Sequence, residues 1–308
     1  MGRVAFVFPG QGAQKVGMGR DAWEASEAAR AVFAEADASL GESLSNLCFE
    51  GPEESLQLIA NTQPAVLTTE IALLRALGES PDVTAGHSLG EYAANVAAGT
   101  LSFGDAVRLV RVRGTYMQEA VPVGAGAMAA IMGGERAAIE RACAEAPGRV
   151  SPVNYNCPGQ LVIAGDAAGV EAACRAIAAL GAKAIPLKVS APFHSALMEP
   201  AEARLAPHLV ATEMRDPAVP IYVNVDAAPV QDAAAARDAL VRQVSRPVRW
   251  EESVERMLAD GVTLFVEIGP GKVLSGLLAR IRKDAAKINV QGAGDLDAAR
   301  AAIRAARG

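Results

Sequence analysis

Histidine and cysteine are scarce in this chain: three and four among 308 residues. The cysteines (Cys48, Cys143, Cys157 and Cys174) form no C-x-x-C pair and show no metal-ligand spacing, which argues against a zinc module or a disulfide framework. Reduced thiols in a cytoplasmic protein are the expectation. There is no basic excess: the formal net charge is −6, which argues against a nucleic-acid partner. An acidic partner must then meet a local basic patch rather than overall charge. No apolar run is long enough to span a membrane. The longest uncharged stretch, Val121 to Gly134, is broken by Pro122 and several glycines. The N-terminus enters a strand-like run at once, without the basic region or cleavage site of a signal peptide. No repeat or low-complexity tract stands out.

What is present is apolar content, 51% of a length that suits one large domain or two linked ones. Val4–Phe8 reads as a buried strand, followed by the Gly-rich loop Pro9-Gly10-Gln11-Gly12-Ala13-Gln14. Val83 and Ala85 read as another strand, and the segment from Ser88 to Val96 as a helix that Gly99 stops. Pro64 suits the first turn of a helix running up to Gly78, and Ser102 suits the cap of one running to about Ala120. Val219–Val225 and Thr263–Ile268 read as strands, each followed by helix-like sequence. Strands alternating with helices predict a mainly parallel sheet covered on both faces.

The middle differs. After a crossing point at Val121–Gly126 come a strand (127–132), a helix (135–144), a strand (150–156), a turn at Pro158-Gly159, a strand (161–164), a helix (167–180) and a strand (183–189). The order β-α-β-β-α-β is ferredoxin-like. The predicted fold is therefore α/β: a large α/β-hydrolase-like domain with a mainly parallel sheet (1–122 and 194–308), plus an inserted ferredoxin-like small domain (123–193). A cleft between them is the default site. The Ala-rich C-terminal tail is expected to fray.

Gly86-His87-Ser88-Leu89-Gly90 is the chemically most telling element. A G-x-S-x-G between a strand and a helix fits a nucleophile elbow, whose strained turn presents the serine hydroxyl at a helix N-terminus. The bare pattern also fits Ser88 as an ordinary N-cap. A serine nucleophile needs a base. His208 reads as a surface residue, and His87 should point away from Ser88. His194, at the return from the inserted segment, can face the cleft and come within about 3 Å of Ser88. A core or surface role for His194 is equally open from sequence. Arg113, Asn154, Asn156 and Gln243 likewise have plain readings as surface, turn or solvated residues.

Taken together, Phe8-Pro9-Gly10-Gln11-Gly12, the elbow with Glu91, Arg113-Gly114, Tyr116-Met117-Gln118, Asn154-Tyr155-Asn156, Pro158-Gly159-Gln160, Phe193-His194-Ser195 and Glu267-Ile268-Gly269-Pro270-Gly271 resemble the malonyl-CoA:acyl carrier protein transacylases. The resemblance spans nearly the whole chain, in order. It implies Ser88 as nucleophile, His194 as base and the N–H groups of Gln11 and Leu89 as an oxyanion hole. It also implies that the Gln243 carbonyl orients the histidine, so that no third acid is needed. Arg113 would fork onto the malonyl carboxylate, a bidentate match that lysine cannot reproduce. Met117, four residues on, and Phe193 would line the same pocket.

The implied reaction is ping-pong transfer of malonyl from coenzyme A to an acyl carrier protein. It serves fatty acid synthesis or, alternatively, a polyketide synthase in trans. Malonyl-CoA is a substrate, so no bound cofactor or metal is required, and a monomer is expected. A serine esterase or thioesterase shares G-x-S-x-G but normally carries an acid behind the histidine and no arginine facing the acyl group. A catalytically dead scaffold is disfavoured by the intact set Ser88, His194, Arg113 and Gln11. For the acidic carrier, Lys188, Lys272, Arg280, Arg282 and Lys283 form a predicted basic rim.

Overall fold

The computed structural model describes residues 2–187, 189 and 191–308. Its strands are β1 (Arg3–Phe8), β2 (Val83–Gly86), β3 (Gly126–Met132), β4 (Val150–Cys157), β5 (Gln160–Asp166), β6 (Lys183–Pro186), β7 (Ile221–Val223), β8 (Ala228–Val230), β9 (Val262–Ile268) and β10 (Ala286–Val290). Six form the large sheet in the order β10-β9-β1-β2-β7-β8, parallel except for the β7–β8 hairpin. Strand β1 explains why it is central. Val4, Phe6 and Phe8 pack on one face against Leu67 and Ile71, while Ala5 and Val7 join Trp250 and Leu278 on the other. A strand covered on both sides needs the unbroken apolar run seen in sequence.

The inserted segment forms a separate antiparallel sheet, β4-β5-β3-β6, with helices Arg136–Glu145 and Ala167–Ala179 packed on one face through Ile139, Val170 and Ile177. That strand order and connectivity are ferredoxin-like. Entry and exit of the segment touch: a Cβ on Gly126 would lie 2.5 Å from the Pro192 ring. The small sheet is also tied by backbone to the segment just ahead of the helix Trp250–Ala259. Tyr155 N–H donates to Val248 O (2.9 Å), and Val248 N–H donates to Val153 O (2.8 Å).

Four local expectations are corrected. The helix predicted to start at Pro64 runs from Ile59 to Leu77 and carries the proline inside it. Its first turn is held by Thr62 Oγ1 donating to Leu56 O and Asn61 Nδ2 donating to Ser55 O. The strand at Ile221–Val223 is followed by a hairpin to β8 before the next helix, Ala233–Arg242. The last small-sheet strand stops at Pro186, which pairs with Ala129. The Ala-rich tail is the helix Leu296–Arg307, docked through Ala299 and Ile303. Arg300 fastens it to the carbonyls of Ala76 and Leu77 at the end of Ile59–Leu77. Ser102 caps Phe103–Glu119 as expected, its Oγ accepting from Asp105 N–H.

Candidate active site

Parallel pairing aligns Phe8 with Gly86, so the loop after β1 and the turn after β2 leave the same sheet edge side by side. Active sites of parallel α/β sheets gather at this carboxyl end. The turn is tight because its glycines meet backbone: a Cβ on Gly86 would sit 1.9 Å from Gly90 C, and one on Gly90 2.1 Å from Phe8 O. Between them Ser88 has φ +53°, in the left-handed region, and leads into the helix Gly90–Ala97. His194 is also left-handed, at φ +61°. Non-glycine residues held in this way concentrate at functional sites.

Ser88 and His194 meet. Ser88 Oγ lies 2.7 Å from His194 Nε2, and His194 Nδ1 lies 2.8 Å from the Gln243 backbone oxygen. A carbonyl only accepts, so Nδ1 carries the proton and Nε2 presents a lone pair to the serine hydroxyl. Among the described residues no carboxylate bonds the His194 ring. Burial, and next the positive Arg113, push the His194 pKa down to about 3 against the opposing hydrogen bond that the ring donates to Gln243 O, so the ring is neutral at working pH.

Arg113, on Phe103–Glu119, is 1% exposed. Its guanidinium donates to Gln63 Oε1 (2.9 Å), Gln243 Oε1 (2.9 Å) and Ser88 Oγ (3.2 Å). It lies over the Tyr92 ring, 5.6 Å from the centroid. Among the described residues no carboxylate bonds it, and its Nε has no partner. A buried cation held only by neutral groups is a ready receptor for a substrate anion.

Met117 and Phe193 join Ser88, His194, Gln11 and Asn154 around a cavity of about 140 Å³. The Met117 sulfur also accepts a weak hydrogen bond from Gln63 Nε2 at 3.7 Å. Gln11 and Leu89 flank Ser88 on the β1 loop and at the head of Gly90–Ala97. Neither backbone N–H donates a hydrogen bond among the described residues. Asn154 Oδ1 is buried without a partner among the described residues, whereas Asn156 Oδ1 is 2.9 Å from His87 Nε2. His87 therefore packs beside the elbow, next to Trp250, and His208 is exposed beside Tyr116.

Gln243 is fully buried, so the solvated reading of it is wrong. It sits just past the helix Ala233–Arg242, and its side chain donates to Ser88 O (2.9 Å) and Glu91 Oε2 (3.0 Å). Sequence reasoning missed Asn224 and Gln63. Asn224 Oδ1 accepts from Ser88 N–H (2.7 Å) and its Nδ2 donates to Gly86 O (2.6 Å), clamping both sides of the elbow. Its position at the carboxyl end of a predicted strand was the available signal. Gln63 was marked only by its polarity on an apolar helix. Lys272, Arg280, Arg282 and Lys283 are exposed on and around the helix Val273–Ile281, and Lys188 lies outside the described residues.

Residues 5–298 match the acyl transferase domain family. The chain is 51% identical over 290 residues to the malonyl CoA-acyl carrier protein transacylase of Bacillus subtilis, covering 92% of each chain. It is 52% identical over 288 residues to the protein of the same name from Escherichia coli K12, covering 91% of this chain and 93% of that one. Among solved structures, an acyl carrier protein S-malonyltransferase from Vibrio cholerae superposes with a TM-score of 0.94 at 47% identity, over 96% of this chain and 99% of the other. A malonyl-transacylase in complex with a type II polyketide synthase acyl carrier protein gives 0.95 at 46% identity, over 97% and 99%. With this fold and these relatives, the chain belongs to the malonyl-CoA:acyl carrier protein transacylases and is an acyltransferase.

Proposed function

We propose that this protein moves malonyl from malonyl-CoA, through an ester on Ser88, to the phosphopantetheine thiol of an acyl carrier protein. The observation that carries the reading is the buried Arg113 guanidinium, free of any carboxylate and 3.2 Å from Ser88 Oγ. An acyl group on that oxygen with a terminal carboxylate can reach it; a neutral acyl group leaves the charge unanswered.

His194 Nε2 takes the Ser88 proton as Oγ attacks the thioester carbonyl. The oxyanion faces the N–H groups of Gln11 and Leu89, donors of a kind worth about 3–4 kcal/mol each. The C–S bond breaks, and the proton passes from His194 to the departing coenzyme A thiolate. The carrier thiol then gives its proton to His194 and attacks the ester. Ser88 Oγ leaves and recovers the proton. The malonyl carboxylate also neutralises Arg113, one of the charges that depress His194, so a bound malonyl group makes its own base stronger.

We read the carrier as that of fatty acid synthesis. Supply of a polyketide carrier is the second reading, favoured by the likeness to a malonyl-transacylase captured with one. A monomer suffices as the working unit, because Ser88, His194, Gln243 and Arg113 of a single chain already bond one another. The free cysteines support a cytoplasmic setting, and no described helix is long and apolar enough to cross a membrane. The test is intact mass after incubation with malonyl-CoA, then with each carrier. The wild type should gain one malonyl group and pass it on, and Ser88→Ala should gain none. An acylated Ser88→Ala protein would sink the mechanism.

A further inference from the structure

We propose that Glu91 is a positioning residue of this transfer: it orients the Gln243 amide and supplies through it the countercharge that leaves Arg113 free for the acyl carboxylate. The inference rests on the malonyl-transfer reading above. Glu91 lies in the first turn of Gly90–Ala97 and is fully buried. Its Oε2 accepts from Asn224 N–H (2.8 Å) and from Gln243 Nε2 (3.0 Å), while Oε1 has no partner among the described residues.

The geometry admits one orientation of the Gln243 side chain. Nε2 faces two acceptors, Glu91 Oε2 and Ser88 O, so it must be the NH₂ end. Oε1 is thereby turned to Arg113, a donor. A flipped amide would set oxygen against oxygen at Glu91 and NH₂ against the guanidinium. Glu91 thus decides the amide whose backbone oxygen also orients His194.

The same arrangement keeps Glu91 one group away from Arg113. A direct ion pair would occupy the guanidinium and compete with substrate. At one remove, the carboxylate lowers the cost of burying the cation yet leaves its hydrogen-bonding edge available. The charged and titratable groups facing Glu91 are Arg113 from Phe103–Glu119, Asp226 from the turn after β7 and the Tyr92 phenol on its own helix. Asp226 is already paired with Arg242. Burial pushes the Glu91 carboxyl up to about 7, so its charge changes within the working range. As pH rises through that value the carboxylate forms and weakens the pull of Arg113 on malonyl. By linkage, a bound malonyl carboxylate raises the Glu91 pKa further.

The test compares wild type with Glu91→Gln, which retains an oxygen acceptor but cannot ionise. Malonyl-CoA KM and kcat are measured from pH 6 to 8, after Ser88 acylation has been recorded by mass. In the wild type KM should rise about 2.5- to 5-fold across this range, the part of half to one pK unit of coupling that is expressed between these pH values. In Glu91→Gln it should stay flat and lie below the wild-type value at pH 8. Glu91→Leu, which frees the Gln243 amide, should lose at least about tenfold in malonyl kcat/KM, the loss expected when a charged hydrogen-bond acceptor is removed. The same pH slope in Glu91→Gln as in wild type overturns the inference, as does unchanged kcat/KM in Glu91→Leu. If Glu91→Leu does not fold, the Glu91→Gln comparison decides alone. A wild type with no Ser88 ester overturns the transfer reading and this inference together. A normal ester with an unaltered slope overturns only this one.

Discussion

Arg113 and Ser88 share a hydrogen bond of 3.2 Å in the resting site, so the guanidinium already touches the oxygen proposed to carry the acyl group. The hydroxyl is held between this donor and His194 Nε2 at 2.7 Å. In the proposed transfer, binding of the acyl carboxylate and activation of the nucleophile therefore meet at one atom.

Replacing the guanidinium should change which acyl groups are accepted. Arg113→Ala should lose malonyl transfer by at least about 10²-fold, in line with the roughly 2–5 kcal/mol of a broken buried charge pair. The same variant should retain or gain activity with acetyl-CoA or longer neutral acyl-CoAs. Equal losses on charged and neutral substrates, measured by Ser88 acylation, would make Arg113 structural.

His194→Ala should slow malonylation of Ser88 by about 10²–10⁴-fold, the usual worth of a general base. Stopped-time intact-mass measurements read this directly. A full-rate variant would move the base elsewhere, with His87 the first suspect.

Folding should also carry a signature of His194. Its native pKa is pushed to about 3, below the ordinary 6.5, so below that ordinary value the unfolded chain binds a proton that the native one refuses. Stability is thus lost progressively as pH falls from about 6.5 towards 3. Urea unfolding at several pH values should show a shallower acid slope in His194→Leu than in wild type. Parallel slopes would mean that the buried ring does not govern acid stability.

Asn224→Ala should leave Ser88 N–H and Gly86 O without their buried partner. Each such group typically costs about 1–3 kcal/mol. The melting temperature should drop, and kcat should fall more than KM changes, because the elbow loosens while the acyl pocket keeps its walls. A variant as stable and active as wild type would remove Asn224 from the clamp.

The exposed cations on and around Val273–Ile281 make no ion pairs among the described residues and suit an acidic carrier. Arg282→Glu should raise the carrier KM while sparing malonyl-CoA hydrolysis. Unaltered carrier kinetics would take this face out of the docking surface.

Much was determined by the sequence itself, because local physics leaves a local trace. The apolar run of β1 requires cover on both faces, G-x-S-x-G between strand and helix requires a strained turn, and β-α-β-β-α-β requires the small antiparallel sheet. The motif set then indicated Ser88, His194 and Arg113. Tertiary structure alone decided how those residues meet. Gln243 is 155 positions from Ser88, and Asn224 136, yet both bond its backbone. No periodicity records a side chain that reaches across the molecule to satisfy a buried N–H or carbonyl. The helix start ahead of Pro64 escaped because side-chain bonds to Leu56 and Ser55, six positions back, and a bond from the distant Arg111 to Asn61 Oδ1 outweighed the local signal of a proline.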